Sequence, residues 1–157
     1  MRHAKSSWKD ENLVDHERPL SKRGLRDAPR MGRLLREEDM VPDVILCSPA
    51  LRARMTVEGV VDQSGFGNEL MFPEEFYGAN LEIFLAALRT LSEEYASAMF
   101  IGHNPELEEL LEHLTGKWHK MPTAALAYLV LPVQLWQDIN EETEGKLVYL
   151  WKPRKLP

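Results

Sequence analysis

With a single cysteine, Cys47, the 157-residue chain has no internal disulfide available, which fits a reducing compartment. It also lacks any apolar run approaching the roughly 18 residues of a bilayer span, and its amino-terminal stretch is dense in charge, which argues against a membrane segment and a signal peptide. Positive charge is in deficit, with 19 Lys and Arg against 25 Asp and Glu and a formal charge of −6, so neither nucleic acid nor an anionic membrane is the expected main partner. A Walker-type glycine loop, an HExxH pair, low-complexity tracts and internal repeats are all missing, and no metal or other cofactor is expected. These absences point to a soluble, cytoplasmic protein, and a monomer is expected.

What is present is ordinary globular composition, 28% charged and 44% hydrophobic, with no linker to divide residues 1–157 into more than a single domain. Residues 3–20 carry no sustained period and read as a long loop, a type that is often functional in compact domains. Ser21 is placed to cap a helix running to about Glu37, with Pro29 expected to kink or split it. Asp43 to Cys47 reads as a buried parallel strand, followed by Ser48 as a cap, Pro49 at the first helical position and a helix to about Gln63. Glu69 to Phe72 suggests a further short strand, and Asn80 a cap for an amphipathic helix carrying Leu81, Phe84, Leu85, Leu88 and Leu91.

Ala98 to Gly102, then Asn104-Pro105 and a helix ending at Gly116, repeat the strand, cap, proline, helix device. Two uses of it favour a βαβ architecture, and residues 125–133 and 146–152 read as two antiparallel strands added at the end. The expected fold is an α/β three-layer αβα sandwich with a mostly parallel central sheet and an antiparallel C-terminal addition.

In such a sheet Arg52 and His103 both emerge at the carboxyl edge, where open α/β sheets bind ligands, and Arg2-His3 stands ready to join them. Two arginines and two histidines in one pocket suit a phosphoryl dianion: guanidinium forks hold its oxygens and a neutral imidazole attacks phosphorus. Nearby cations disfavour imidazolium and so keep such a nucleophile reactive.

The segments Arg2-His3-Ala4-Lys5-Ser6, Arg18-Pro19-Leu20-Ser21 with Gly24, Ser48-Pro49 with Arg52-Ala53 and Thr56, and Gly102-His103-Asn104-Pro105 resemble, in order and spacing, the histidine phosphatase superfamily. The branch they are most similar to is the small SixA-type phosphohistidine phosphatases. The resemblance implies the phosphoglycerate mutase-like fold and a metal-independent phosphatase acting on phosphohistidine or a small phosphomonoester. In it His3 is the nucleophile that becomes a transient phosphohistidine. Arg2 and Arg52 hold the non-bridging oxygens, His103 is the second pocket histidine, and Arg18 is a further phosphate-binding candidate. Many members draw a proton donor from mid-chain, where Glu74 and Glu75 stand. The expected partner is a phosphate-bearing substrate, with a phosphohistidine protein domain among the candidates.

Members of the family usually carry an apolar strand ahead of the Arg-His pair, whereas here Met1 alone precedes Arg2. Two readings follow, a start upstream of Met1, or a domain without that strand whose His3 lies on a frayed terminus. The second keeps alive a rival function, a phosphate-binding or protein-interaction module of the same fold without turnover. A phosphomutase is the other alternative, which the short chain disfavours. Cys47 reads as a buried small hydrophobe. The Lys22, Arg23, Arg26, Arg30, Arg33 and Arg36 series reads as a solvated helix face, with an acidic docking partner as its alternative.

Overall fold

The computed structural model describes residues 1–156. Its centre is a parallel sheet in the order β2-β1-β3, formed by β1 (Val44–Cys47), β2 (Glu69–Met71) and β3 (Ala98–Ile101). The run Val-Ile-Leu-Cys of β1 is buried along its whole length, as a central strand covered on both faces must be. Alternation then sorts its side chains. Ile45 and Cys47 join one core cluster with Ala28, Met31, Val57 and Val60, while Val44 and Leu46 join another with Phe84, Leu85, Leu107 and Leu111.

These clusters correspond to the outer layers. Helices α1 (Lys22–Glu37) and α2 (Leu51–Ser64) cover one face, and α3 (Leu81–Arg89) and α4 (Glu106–Thr115) the other. The α1/α2 crossing is close because Gly32 supplies no Cβ: one placed there would stand 2.3 Å from the Val60 carbonyl oxygen. Pro29 does not split α1, which runs unbroken through it. Its ring packs where Gly59 of α2 leaves space, 3.2 Å from the position a Cβ would take.

The carboxyl-terminal pair β4 (Leu126–Val130) and β5 (Lys146–Trp151) is antiparallel and forms a separate two-stranded sheet. Residues 1–3 bridge the two sheets. Gly102 N–H donates to Met1 O at 3.2 Å and His3 N–H to Gly102 O at 3.0 Å, while on the other side Arg2 N–H donates to Ala125 O at 2.9 Å and Ala124 N–H to His3 O at 3.0 Å. The Met1 amino group adds a bond to Phe100 O at 2.6 Å. The frayed-terminus reading is therefore corrected: His3 is held by backbone bonds on both sides. No described helix is long and apolar enough to cross a membrane.

Two of the expected caps form. Ser21 Oγ accepts Gly24 N–H at 3.2 Å and Asn80 Oδ1 accepts Ile83 N–H at 3.0 Å. Ser48 and Asn104 do not cap their helices, which begin after Ala50 and Pro105. Both side chains are directed elsewhere, Ser48 to His103 and Asn104 to the Met121 carbonyl oxygen.

Candidate functional site

The carboxyl ends of β1 and β3 bring Ser48, Arg52, Gly102 and His103 to one edge, and the amino-terminal segment delivers Arg2 and His3 beside them through the Arg2–Gly102 bridge. The His3 and His103 rings lie 5.1 Å apart between centroids, tilted by 52°. His3 is 7% exposed and Arg52 likewise 7%, so both are taken largely out of water.

His3 Nδ1 is 2.7 Å from the Ala4 carbonyl oxygen. A carbonyl only accepts, so Nδ1 carries the proton and Nε2 keeps its lone pair. Burial is the main force lowering the pKa of this ring to about 3, opposed by the Ala4 bond and reinforced by His103 and by the charges of Arg52 and Arg2. The next residue is fixed as well: Ala4 N–H donates to Thr56 Oγ1 at 2.9 Å, and that hydroxyl donates to Arg52 O at 2.6 Å.

His103 is lowered to about 4, again chiefly by burial, then by Arg52, with Asp15 acting in the opposite sense. Its Nε2 lies 2.7 Å from Ser48 Oγ, which also accepts Ala50 N–H at 3.3 Å. This is why Ser48 is not a helix cap. Asn104 is diverted similarly, since its Nδ2 donates to Met121 O at 3.0 Å, the same oxygen that takes Arg2 Nη1 at 2.9 Å. Two buried nitrogens of the cluster, Arg2 Nε and His103 Nδ1, have no protein partner among the described residues.

The loop between His3 and α1 is closed at its base by the Ser6–Leu20 bridge and by Ser7 N–H on Pro19 O at 2.8 Å. Arg18 is buried within it. Its Nη2 donates to Ser6 Oγ at 2.7 Å, its Nε to Ser7 O at 3.2 Å, and its guanidinium carbon lies 3.1 Å from the centroid of the Trp8 ring. A short 3-10 turn, Asp15–Glu17, brings an acid into the cluster, and Asp15 pairs with both Arg18 and Arg52 at 3.0 Å. Tyr77 donates its hydroxyl to the same carboxylate at 2.9 Å, and its ring stands edge-on to His103 at 5.9 Å and to His16 at 4.8 Å.

The structure thus gathers Arg2, His3, Arg52 and His103, with Arg18 joined to Arg52 through Asp15. Glu74 and Glu75 are exposed, and neither side chain bonds to the cluster among the described residues. Tyr77, just beyond them, is the residue of that segment that reaches it. Sequence reasoning missed Asp15 and Tyr77 as pocket residues. Asp15 carried a signal, a carboxylate three residues before Arg18 in a loop already marked as functional; Tyr77 carried none. Cys47 is fully buried, and burial pushes its thiol up to about 12, a value that keeps it unreactive. On α1, Arg23 and Arg26 pair with buried Asp27, Arg30 donates to Leu156 O and Arg33 to Gln63, so much of that basic face makes intramolecular contacts.

The family model of the histidine phosphatase superfamily (branch 1) matches residues 1–75. The chain is 30% identical to an uncharacterized protein of Mycobacterium leprae, over 98% of this chain and all of that one. Among solved structures it resembles the protein histidine phosphatase SixA complexed with tungstate, at 26% identity and a TM-score of 0.85, covering 100% of this chain and 97% of that one. It also resembles a protein from Agrobacterium tumefaciens provisionally assigned as a phosphohistidine phosphatase SixA, at 28% identity and a TM-score of 0.83, covering 98% and 95% of the two chains.

Proposed function

Because the chain belongs to the histidine phosphatase superfamily, we propose that it is a metal-independent phosphatase that hydrolyses phosphohistidine or a small phosphomonoester through a covalent phosphohistidine on His3. The observation that carries this reading is the His3 ring itself, proton fixed on Nδ1 by Ala4 O and charged form disfavoured by burial and by two arginines. An imidazole in that state presents a free Nε2 lone pair at neutral pH.

In the proposed cycle Nε2 attacks phosphorus as the bond to the leaving group breaks, and the charge on the equatorial oxygens is met by Arg2, Arg52 and His103, with Arg18 behind them. Water then attacks the phosphoimidazole, inorganic phosphate departs, and neutral His3 returns. The unpartnered Arg2 Nε supports a role as a ligand donor, since buried donors are rarely left without an acceptor, and His103 Nδ1 joins it in the tautomer whose Nε2 accepts the Ser48 hydroxyl. Each preorganised donor to the transferring group is worth roughly 10²–10³ in rate, by analogy with oxyanion holes. A phosphohistidine substrate suits a pocket whose bonded carboxylate, Asp15, is held at about 2 and so stays ionised near neutrality. An imidazole leaves more readily than an alkoxide and depends less on a dedicated acid such as Glu74 or Glu75. The likeness to SixA structures supports the same substrate class.

The test pairs a chromogenic phosphoester and a phosphohistidine protein with wild type and His3→Ala. Wild type is expected to turn over at least one and to yield an acid-labile phosphoenzyme that the variant lacks. Activity retained by His3→Ala removes the nucleophile assignment. Phosphate binding without turnover in wild type favours the binding module instead.

A further inference from the structure

Asp15 is the one carboxylate bonded into the cluster among the described residues, and four side-chain donors from three chain segments converge on that residue. Its Oδ1 accepts Arg18 Nη1 at 3.0 Å, its Oδ2 accepts Arg52 Nη2 at 3.0 Å and the Tyr77 hydroxyl at 2.9 Å, and its backbone oxygen accepts Arg52 Nη1 at 2.7 Å. Arg52 is therefore gripped through both terminal nitrogens. A guanidinium offers five N–H donors in a planar fork, so Nε and the remaining terminal protons are left for another acceptor.

Two roles fit an anion in such a place. As a stand-in for substrate, Asp15 would occupy the donors that a phosphoryl group needs. As an anchor, it would hold the forks so that their other edges face the reacting atoms. The anchor agrees better with the backbone. The Asp15 carbonyl is itself part of the grip, and it also accepts Arg18 N–H at 3.3 Å within the 3-10 turn, so releasing Arg52 would mean unmaking the turn as well as swinging a side chain.

We propose that Asp15 is a positioning residue for phosphoryl binding: it fixes Arg52 and Arg18 before substrate arrives and ties Tyr77 to the His103 side of the pocket. This rests on the reading of the pocket as a phosphoryl site. Arginine side chains are rich in rotamers, and ordering them beforehand removes that entropic cost from the binding step. The carboxylate also offsets part of the repulsion between two cations that must share one anion.

The experiment compares wild type, Asp15→Ala, Asp15→Asn and Asp15→Glu for inorganic phosphate affinity by calorimetry, for KM and kcat on a chromogenic phosphoester, and for thermal midpoint. Asp15→Ala is expected to weaken phosphate binding and raise KM by about 10–100-fold, the range seen when outer partners of ligating side chains are lost. The midpoint is expected to move little, because the carboxylate is half exposed, and Asp15→Glu should recover part of the affinity. Unchanged or tighter phosphate binding in Asp15→Ala, or wild type that binds no phosphate, overturns the proposal. Phosphate affinity is read without turnover, so a failure of the nucleophile assignment in His3→Ala is a separate result.

Discussion

Ser48 Oγ stands 2.7 Å from His103 Nε2, joining the end of β1 to the end of β3 across 55 residues of sequence. The contact is the one hydrogen bond to the second pocket histidine's ring among the described residues, and it acts beside the ring contacts of His3 and Tyr77. Ser48→Ala is expected to lower kcat/KM by about 10–100-fold, as for other outer partners of functional histidines. The buried ring nitrogen left behind should cost about 1–3 kcal/mol of stability. Steady-state kinetics and urea unfolding of the purified variant measure both, and an unaltered kcat/KM would show that the serine only fills space.

Both histidines are expected to be neutral well below the usual histidine range, since burial and the arginines lower His3 to about 3 and His103 to about 4. Their imidazole resonances should stay in the neutral form at pH 5.5 in a proton NMR titration. Titration of either ring near 6.5 would contradict the buried, cation-flanked pocket.

The same shifts bear on stability. Unfolded histidine protonates near about 6.5, so between there and pH 3–4 the folded chain binds fewer protons than the unfolded one. The contribution of the two rings is full well above about 6.5 and falls as pH drops through that window, by up to about 1.4 kcal/mol per pH unit for each ring. Urea midpoints at pH 7.0, 5.5 and 4.5 should decline in order, and a flat series would count against lowered values in the folded state.

Gly24 lies in the first turns of α1, where an added Cβ would stand 2.3 Å from the Lys5 carbonyl oxygen. That oxygen accepts both Ser21 N–H at 2.8 Å and Ser21 Oγ at 2.9 Å, which lock the loop base two residues beyond His3. Gly24→Ala is expected to cost about 1–3 kcal/mol through overpacking. Displacement of the His3 segment should cut turnover on the order of 10²-fold. Thermal unfolding and kcat separate the effects; loss of stability with normal turnover would place the disturbance away from the site.

By itself the sequence determined whatever depends on near neighbours. The β1 run is apolar throughout because both faces are covered. Ser21 and Asn80 cap their helices because the partner N–H lies three residues on. The four motif segments were legible because their spacing along the chain is local information, and so was the prospect that Arg52 and His103 share a sheet edge. Tertiary structure alone decided the rest. Ser48 and Asn104 have the chemistry of caps, yet a stronger partner brought from far along the chain took each of them, His103 in one case and Met121 O in the other. Residues 1–3 are firmly held in space, because they lie between two sheets that satisfy their backbone on both sides. Asp15 and Tyr77 stand 62 residues apart, and no periodicity or spacing links a loop acid to a loop tyrosine until folding bonds the tyrosine hydroxyl to the carboxylate that also holds Arg52.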